Sequence, residues 1–379
     1  MSEKPIGVGL IGCGNIGLIH AASMAHIAED GVPIRAVIAA DPSKDNREEV
    51  ATNWQFEKLV ADPKEVINHP EVDAVVVCTP THTHRDLIYQ TLAAGKNLYS
   101  EKPLAPSFDT VKEICKAVKA SPIISQVGFQ MRWNAMHAKV KKYVETGEIG
   151  APVSYLVRDD ESWPTTTVSS FASAWRSQRK FSGGGPLIEH TIHAIDLVSW
   201  MFGPPVRVSA ATRSVFGFEV EDVAAVTVEH ESGVIGTLMT IYGGVEGREE
   251  SRFEVFFKKA TVEITWGVMV DTEDDSFKIT LSGEATESID PNKILDDRLA
   301  ELGIGMKPFF WNELAHRDYF KSIQLGRPAS PGFRDALIAH ATVEAAYRSA
   351  KEKRVVEIKE LIEEKSSKAK PKPKAKKRG

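Results

Sequence analysis

Two residues far apart in the chain have the types needed to handle an alcohol oxygen together: Lys102 in Glu101-Lys102-Pro103, and His193 in the run from Ser182 to Asp196 (SGGGPLIEHTIHAID). An ammonium stabilises negative charge developing on oxygen, and an imidazole exchanges the hydroxyl proton near neutral pH. In the second run, glycines followed by Pro186 start a helix expected over Pro186 to Met201. The spacing of four then puts Glu189 and His193 on one helix face, a carboxylate placed to orient an imidazole. Apolar residues ring this helix, so Glu189, His190, His193 and Asp196 need partners or a function. A self-satisfied structural network is the plain alternative. Zinc held by His190 and His193 is weakly supported, because HxxH lacks the glutamate of HExxH. Lys102, at a strand end, could equally be a surface charge.

A second set of residues would hold a dinucleotide. Gly12-Cys13-Gly14-Asn15-Ile16-Gly17 follows the strand-like Val8 to Ile11 and opens a helix. Gly12 permits the tight turn, Gly14 lets the backbone approach a pyrophosphate, and Gly17 lets helix and strand pack closely. Asp41 ends the next strand, 24 residues past Gly17, where its carboxylate would bind ribose hydroxyls and repel a 2′-phosphate. That favours NAD; Lys44 and Arg47 close by keep NADP open. The fourth strand ends in Cys78-Thr79-Pro80-Thr81-His82-Thr83-His84. At a doubly wound sheet's switch point, Thr79, Pro80, Thr81 and the following loop face the ligand crevice. His82 and His84 lack a nearby third ligand, so metal binding is the weaker reading.

These residues need a scaffold. From Ile6 to about Phe129, β-branched runs alternate with helical patterns, as in a parallel sheet of βαβ units. Strands are predicted at Ile6 to Ile11, Ile34 to Ala40, near Leu59, Val72 to Cys78, Asn97 to Ser100 and Ile123 to Phe129. Later come Val206 to Phe216, Asp222 to His230, Val234 to Tyr242, Arg252 to Phe257, Ala260 to Trp266 and Phe277 to Leu281, a mostly antiparallel open sheet. Helices are expected near Met136 to Glu145, Trp311 to Ile323 and Phe333 to Lys351. The fold class is therefore α/β: a doubly wound dinucleotide-binding domain over 1–127, an α+β substrate and oligomerisation domain over 128–360, and a tail over 361–379. In Val234 to Ile241 both alternating positions are mostly apolar, so one sheet face is expected to meet a second subunit as a homodimer or homotetramer.

Composition supports an ordinary globular enzyme: 379 residues, 42% hydrophobic and 26% charged. Residues 365–379 carry seven Lys, one Arg and no acid. The other 39 basic residues and all 52 acidic ones precede this tract, leaving a body at −13 and a tail at +8. Without interleaved aromatics the tail reads as a disordered, solvated tract rather than a nucleic-acid site. Cys13, Cys78 and Cys115 are scattered without a CxxC, so free thiols in a reducing cytoplasm are expected. No apolar run approaches a membrane span, and no signal peptide is apparent.

Taken in order, the GxGxxG, Thr79 to His84 (TPxxxH), Glu101 to Pro103 (EKP), Gly128 to Arg132 (GFxxR) and Gly183 to His193 motifs resemble the Gfo/Idh/MocA oxidoreductases. The resemblance spans the chain except its basic tail. It implies a Rossmann domain, a C-terminal domain whose open sheet supports oligomers, and oxidation or reduction of sugars, inositols or related polyols. It also implies that Lys102 and His193 are catalytic, with Glu189 where the family often has Asp and Thr191 where it often has Gly. Glu101, Lys102 and His84 join the expected cofactor contacts. Gln130, Arg176 and His190 are candidates for substrate hydroxyls, while Arg132 is as readily a structural ion-pair partner. Two other uses of the same fold are an NAD-dependent glycosidase, which oxidises only transiently, and a non-catalytic regulator. The lysine argues against the regulator.

Overall fold

The computed structural model describes residues 4–161, 173–243, 250–267, 270 and 275–362. The first sheet is built from Ile6–Ile11 (β1), Ile34–Ala40 (β2), Lys58–Val60 (β3), Ala74–Val77 (β4), Asn97–Ser100 (β5) and Ser125–Val127 (β6). All pairs are parallel, in the order β3-β2-β1-β4-β5-β6. Between them run Asn15–Glu29 (α1), Lys44–Asn53 (α2), Pro63–Ile67 (α3), His84–Ala93 (α4) and Phe108–Lys119 (α5). Ser43, Asp62 and Ser107 cap α2, α3 and α5 through their side chains, the chemistry that fixes each helix start. The strand order reverses between β1 and β4, so their carboxyl ends open a crevice.

After Ala135–Thr146 (α6), Pro152–Glu161 (β7) enters a nine-stranded sheet. Arg179–Ser182 (α7), Pro186–Glu189 (α8) and Ile192–Phe202 (α9) follow. The strands Pro205–Arg213 (β8), Val223–His230 (β9), Ile235–Tyr242 (β10), Glu250–Phe257 (β11), Ala260–Trp266 (β12), Ser276–Leu281 (β13) and Glu287–Ile289 (β14) come next. Pro291–Leu302 (α10), Trp311–Leu325 (α11), Phe333–Glu352 (α12), Val356–Glu357 (β15) and Lys359–Ile362 (α13) complete the described chain. The sheet order is β14-β13-β12-β11-β7-β10-β9-β8-β15. Only β7 and β10 pair in parallel, so the sheet is mixed and mostly antiparallel. Alternation along β10 turns Leu238 inward and leaves Ile235 and Met239 exposed, while Leu156 is exposed beside them on β7.

Three local differences have physical reasons. The strand expected through Phe216 ends at Arg213, because the buried Asp222 carboxylate accepts the backbone N–H groups of Val215 and Phe216 and bends them into a turn. The helix α10 was not expected, although Asp290 as cap and Pro291 in the first turn mark its start. The single helix expected over Pro186 to Met201 is broken at His190 and Thr191.

The second half of the chain also returns to the first sheet. Tyr319, Phe320 and Ala329 sit in one core with Leu10, Met24, Ile27, Val76 and Tyr99. Thus α11 packs on α1, and that contact brings residues some three hundred positions apart behind the crevice. Residues 363–379, including nearly all of the basic tail, lie outside the described part. No helix among the described residues is long and apolar enough to cross a membrane.

Candidate active site

A cavity of about 930 Å³ runs from the glycine turn across the carboxyl ends of β1 and β4 to α8 and α9. Gly12, Gly14, Asn15, Ile16, Asp41, Thr79, Pro80, Thr81, Glu101, Lys102, Gln130, Arg176, Glu189, His190 and His193 all line it. Gly17 and His84, also expected to touch a cofactor, do not.

The crevice end is shaped by backbone. Gly12 has φ +93°, and a Cβ there would lie 2.7 Å from the Cys78 carbonyl oxygen. A Cβ on Gly17 would lie 2.1 Å from the Gly12 carbonyl oxygen, so this glycine allows helix and strand to meet but stands behind the cavity wall. In front of Gly14 a Cβ would meet nothing within 4 Å, and no side chain caps α1. Gly14, Asn15 and Ile16 line the cavity, so the helix N-terminus opens onto it, as a pyrophosphate cradle requires. Asp41 Oδ2 accepts the Cys13 N–H at 2.9 Å, and Oδ1 accepts the Ser43 N–H at 2.8 Å and the Asn46 amide at 3.2 Å. The carboxylate is thereby fixed at the end of β2. Of the two nearby cations, Arg47 donates to the Asp41 and Pro42 carbonyls, and Lys44 pairs with Glu48 on the surface. These residues fit a nicotinamide adenine dinucleotide without a 2′-phosphate.

His84 corrects an expectation. Its Nδ1 lies 2.9 Å from the Pro103 carbonyl oxygen and its Nε2 2.7 Å from that of Thr79. It pins together the loops after β4 and β5 instead of contacting the cavity. His82, by contrast, lines the cavity, with its ring 4.6 Å from that of Phe181.

The other end is a cluster of buried charges. Lys102 donates from Nζ to the Glu189 carbonyl oxygen at 2.6 Å. Burial lowers the ammonium's pKa, while Glu101 and Glu189 act against that fall. His193 has a buried Nδ1 with no hydrogen-bond partner, and its pKa lies well below the usual imidazole value because it is buried beside Lys102 and His190. A neutral imidazole thus faces the cavity with an ammonium beside it.

Because α8 stops at Glu189, the expected Glu189–His193 pair does not form. The Glu189 carboxylate instead accepts the Thr81 hydroxyl at 3.1 Å and lies 3.5 Å from Arg176 Nε. Burial raises its pKa, and Arg176 and Lys102 oppose that rise. His190, at the break, is held between two carboxylates of β7, with Nε2 3.1 Å from Asp159 and Nδ1 3.3 Å from Glu161. Burial alone would discharge it, but those carboxylates push its pKa up to about 9, so it is cationic. Gln130 presents a buried Oε1 without a partner. Arg132 turns away and makes two bonds to Asp196, at 2.7 and 2.6 Å, with Asp335 at 3.2 Å. That settles it as a structural pair joining the turn after β6 to α9 and α12.

Sequence reasoning passed over Asp159, Glu161, Trp175 and the buried pair His20 and His316. Of these, His20 was detectable, since it shares the apolar stripe of α1 with Met24 and Ile27.

Two family models match the chain, the NAD-binding Rossmann-fold oxidoreductase family over residues 6–129 and the GFO/IDH/MocA C-terminal domain over 137–263. Myo-inositol 2-dehydrogenase of Thermotoga maritima is 28% identical over 366 residues, covering 94% of this chain and 99% of that protein. The NAD(+)-dependent scyllo-inositol 2-dehydrogenase of Bacillus subtilis is 31% identical over 243 residues, 62% of this chain and 66% of its own length. A solved levoglucosan dehydrogenase in complex with NADH superposes with a TM-score of 0.83 at 22% identity, covering 93% of this chain and 99% of that one. With the glycine turn, the lysine and the histidine each at the wall of one cavity, the chain belongs to the GFO/IDH/MocA family of NAD-binding oxidoreductases.

Proposed function

We infer that this protein is an NAD-dependent dehydrogenase that moves a hydride between a secondary alcohol of a sugar, inositol or related polyol and nicotinamide. The observation that carries the reading is the neutral His193 beside the charged Lys102 on the wall of a cavity that begins at a pyrophosphate cradle. Gly12 to Gly17 and the α1 N-terminus would hold the pyrophosphate, Asp41 the adenosine ribose, and Thr79 to Thr81 the crevice side of the coenzyme. The coenzyme, when bound, supplies the hydride acceptor. Lys102 Nζ donates to the alcohol oxygen and stabilises negative charge there, and the His193 imidazole takes the hydroxyl proton. Glu189, held by Thr81 and near Arg176, is placed to accept a neighbouring hydroxyl; Gln130, Arg176 and His190 supply further polar contacts.

The same reading includes self-association through the outer face of the nine-stranded sheet, where Leu156, Ile235 and Met239 are exposed together on β7 and β10. It places the protein in a reducing compartment such as the cytoplasm, where Cys13, Cys78 and Cys115 stay as thiols.

The test is a spectrophotometric screen of inositols, anhydrosugars and aldoses with NAD and NADP in parallel. Turnover of at least one polyol with NAD is expected. Lys102→Ala should lower its kcat on the order of a thousandfold while NADH still binds. Full activity in that variant would remove the lysine from the mechanism.

A further inference from the structure

Behind Glu101, which itself lines the cavity, lie two buried histidines that do not line it and that the proposed reaction does not use. Glu101 Oε1 is 2.9 Å from His20 Nε2 on α1, and His20 Nδ1 is 2.7 Å from His316 Nε2 on α11. Both histidines are fully buried. Their rings meet edge to face at 4.9 Å, and Tyr99 closes the same pocket against both.

Hydrogen-bond accounting selects one direction along this chain. His316 Nδ1 is buried with no partner. A buried N–H without an acceptor is rare and costly, whereas a bare ring lone pair is tolerated better. His316 therefore carries its proton on Nε2 and donates it to His20 Nδ1, and His20 donates from Nε2 to the Glu101 carboxylate. Every donor points toward Glu101. Its other oxygen, Oε2, accepts the backbone N–H of Lys102 at 3.1 Å. Room for this carboxylate is made by Gly128, where a Cβ would lie 2.2 Å from Oε1. That accounts for the glycine at the head of the Gly128 to Arg132 motif.

We propose that His20 and His316 form a two-imidazole relay behind Glu101 that holds its carboxylate against the Lys102 backbone, making both histidines positioning residues for the lysine. The charges are consistent with this geometry. The bond from His20 and the nearby Lys102 outweigh burial and keep the Glu101 carboxyl below its ordinary range. Glu101 is in turn foremost among the groups that sustain the charge on Lys102, followed by Glu189 and Glu161; Arg176 opposes it, and His190 and His193 also face the ammonium. Cys78, His84 and Tyr99 are the remaining titratable groups facing Glu101. Without the relay, the buried carboxylate turns away or takes up a proton. Lys102 then loses its ammonium at lower pH.

The inference rests on Lys102 being the ammonium that acts on the alcohol, so its test reads the lysine directly with no polyol present. The full-length protein is trace-labelled with isotopic acetic anhydride between pH 6 and 11, and labelling of the Lys102 peptide is followed by mass spectrometry. In His20→Leu and His316→Leu, the labelling midpoint is expected to fall by about one pH unit, with Glu101→Gln moving it the same way and further. His316→Gln keeps an N–H that can donate to His20 and should restore the wild-type midpoint. An unchanged midpoint in His20→Leu that binds NADH as the wild type does overturns the relay, as does equal behaviour of His316→Leu and His316→Gln. Should His20→Leu fail to fold, the His316 pair decides. A relay that passes while every polyol fails would leave the histidines assigned and the proposed reaction refuted.

Discussion

The two ends of the cavity are built in opposite ways. At the crevice, the wall is main chain: a turn at φ +93°, two glycines pressed against carbonyls, a helix N-terminus without a side-chain cap and one carboxylate fixed by its own neighbourhood. At the far end, backbone contributes little and the wall is a lattice of charges from β5, β7, α8, α9 and the turn at Ala174–Ser177. The first construction tolerates only one shape and accepts any ligand that fits it. The second sets protonation states, and each member depends on partners contributed by distant parts of the chain. Coenzyme class therefore follows from local spacing, whereas the acid–base roles follow from the assembled fold.

The largest loss of stability should come from the ion cluster behind the far end. Arg132, Asp196 and Asp335 form it, the first two buried. Replacing Arg132 with Leu leaves Asp196 buried without its cation, and its pKa is already about 6 with the arginine present. A loss of roughly 3–5 kcal/mol in urea unfolding is expected. Breaking the crevice is a milder injury to stability and a more selective one to binding. In Gly17→Ala the new Cβ has to displace the Gly12 carbonyl, which should cost about 1–3 kcal/mol and abolish NADH binding by fluorescence titration. If Gly17→Ala binds NADH normally, the turn is more compliant than its contacts imply.

A finer cut separates shape from charge within the crevice itself. Asp41→Ser removes the carboxylate proposed to hold the coenzyme ribose. The ratio of kcat/KM for NAD over NADP should fall on the order of tenfold or more, equivalent to about 1.4 kcal/mol. A ratio that does not change would mean that the Asp41 carboxylate does not discriminate at the ribose 2′ position.

The legibility of the sequence divides along the same line. Gly12, Gly14, Gly17 and Asp41 could be read because their work is done by backbone within one βαβ unit, where spacing is geometry. Lys102 and His193 could be proposed from type and motif, and both reach the cavity. What sits around them could not be read. The break after Glu189 leaves no trace in the periodicity, because it accompanies the capture of His190 by Asp159 and Glu161 some thirty residues upstream. For the same reason Glu189 was assigned to its helical neighbour instead of to Thr81, 108 positions away. His84 entered the expected coenzyme contacts with the Thr79 to His84 motif of the resemblance; only the fold reveals the two carbonyls that claim it.

The smallest expected effect sharpens the comparison most. In the direction of alcohol oxidation the base must be neutral, and His193 has its pKa displaced well below 6.5. A lowered pKa means protonation begins only at lower pH, so kcat/KM should stay level from pH 8 down to pH 6.5, with no halving. An unperturbed imidazole would be about half protonated at pH 6.5 and would halve the rate there. At the alkaline side Lys102, with a pKa moved down from 10.5, and His190, at about 9, both lose their charge, so the rate should fall before the usual lysine range is reached. His190 does not confuse the acid limb, since at about 9 it remains charged through neutral pH. A steep loss of rate between pH 8 and 6.5 would show that His193 is not held neutral by burial beside Lys102 and His190, and the far end of the cavity would then behave as a solvated surface rather than a buried lattice.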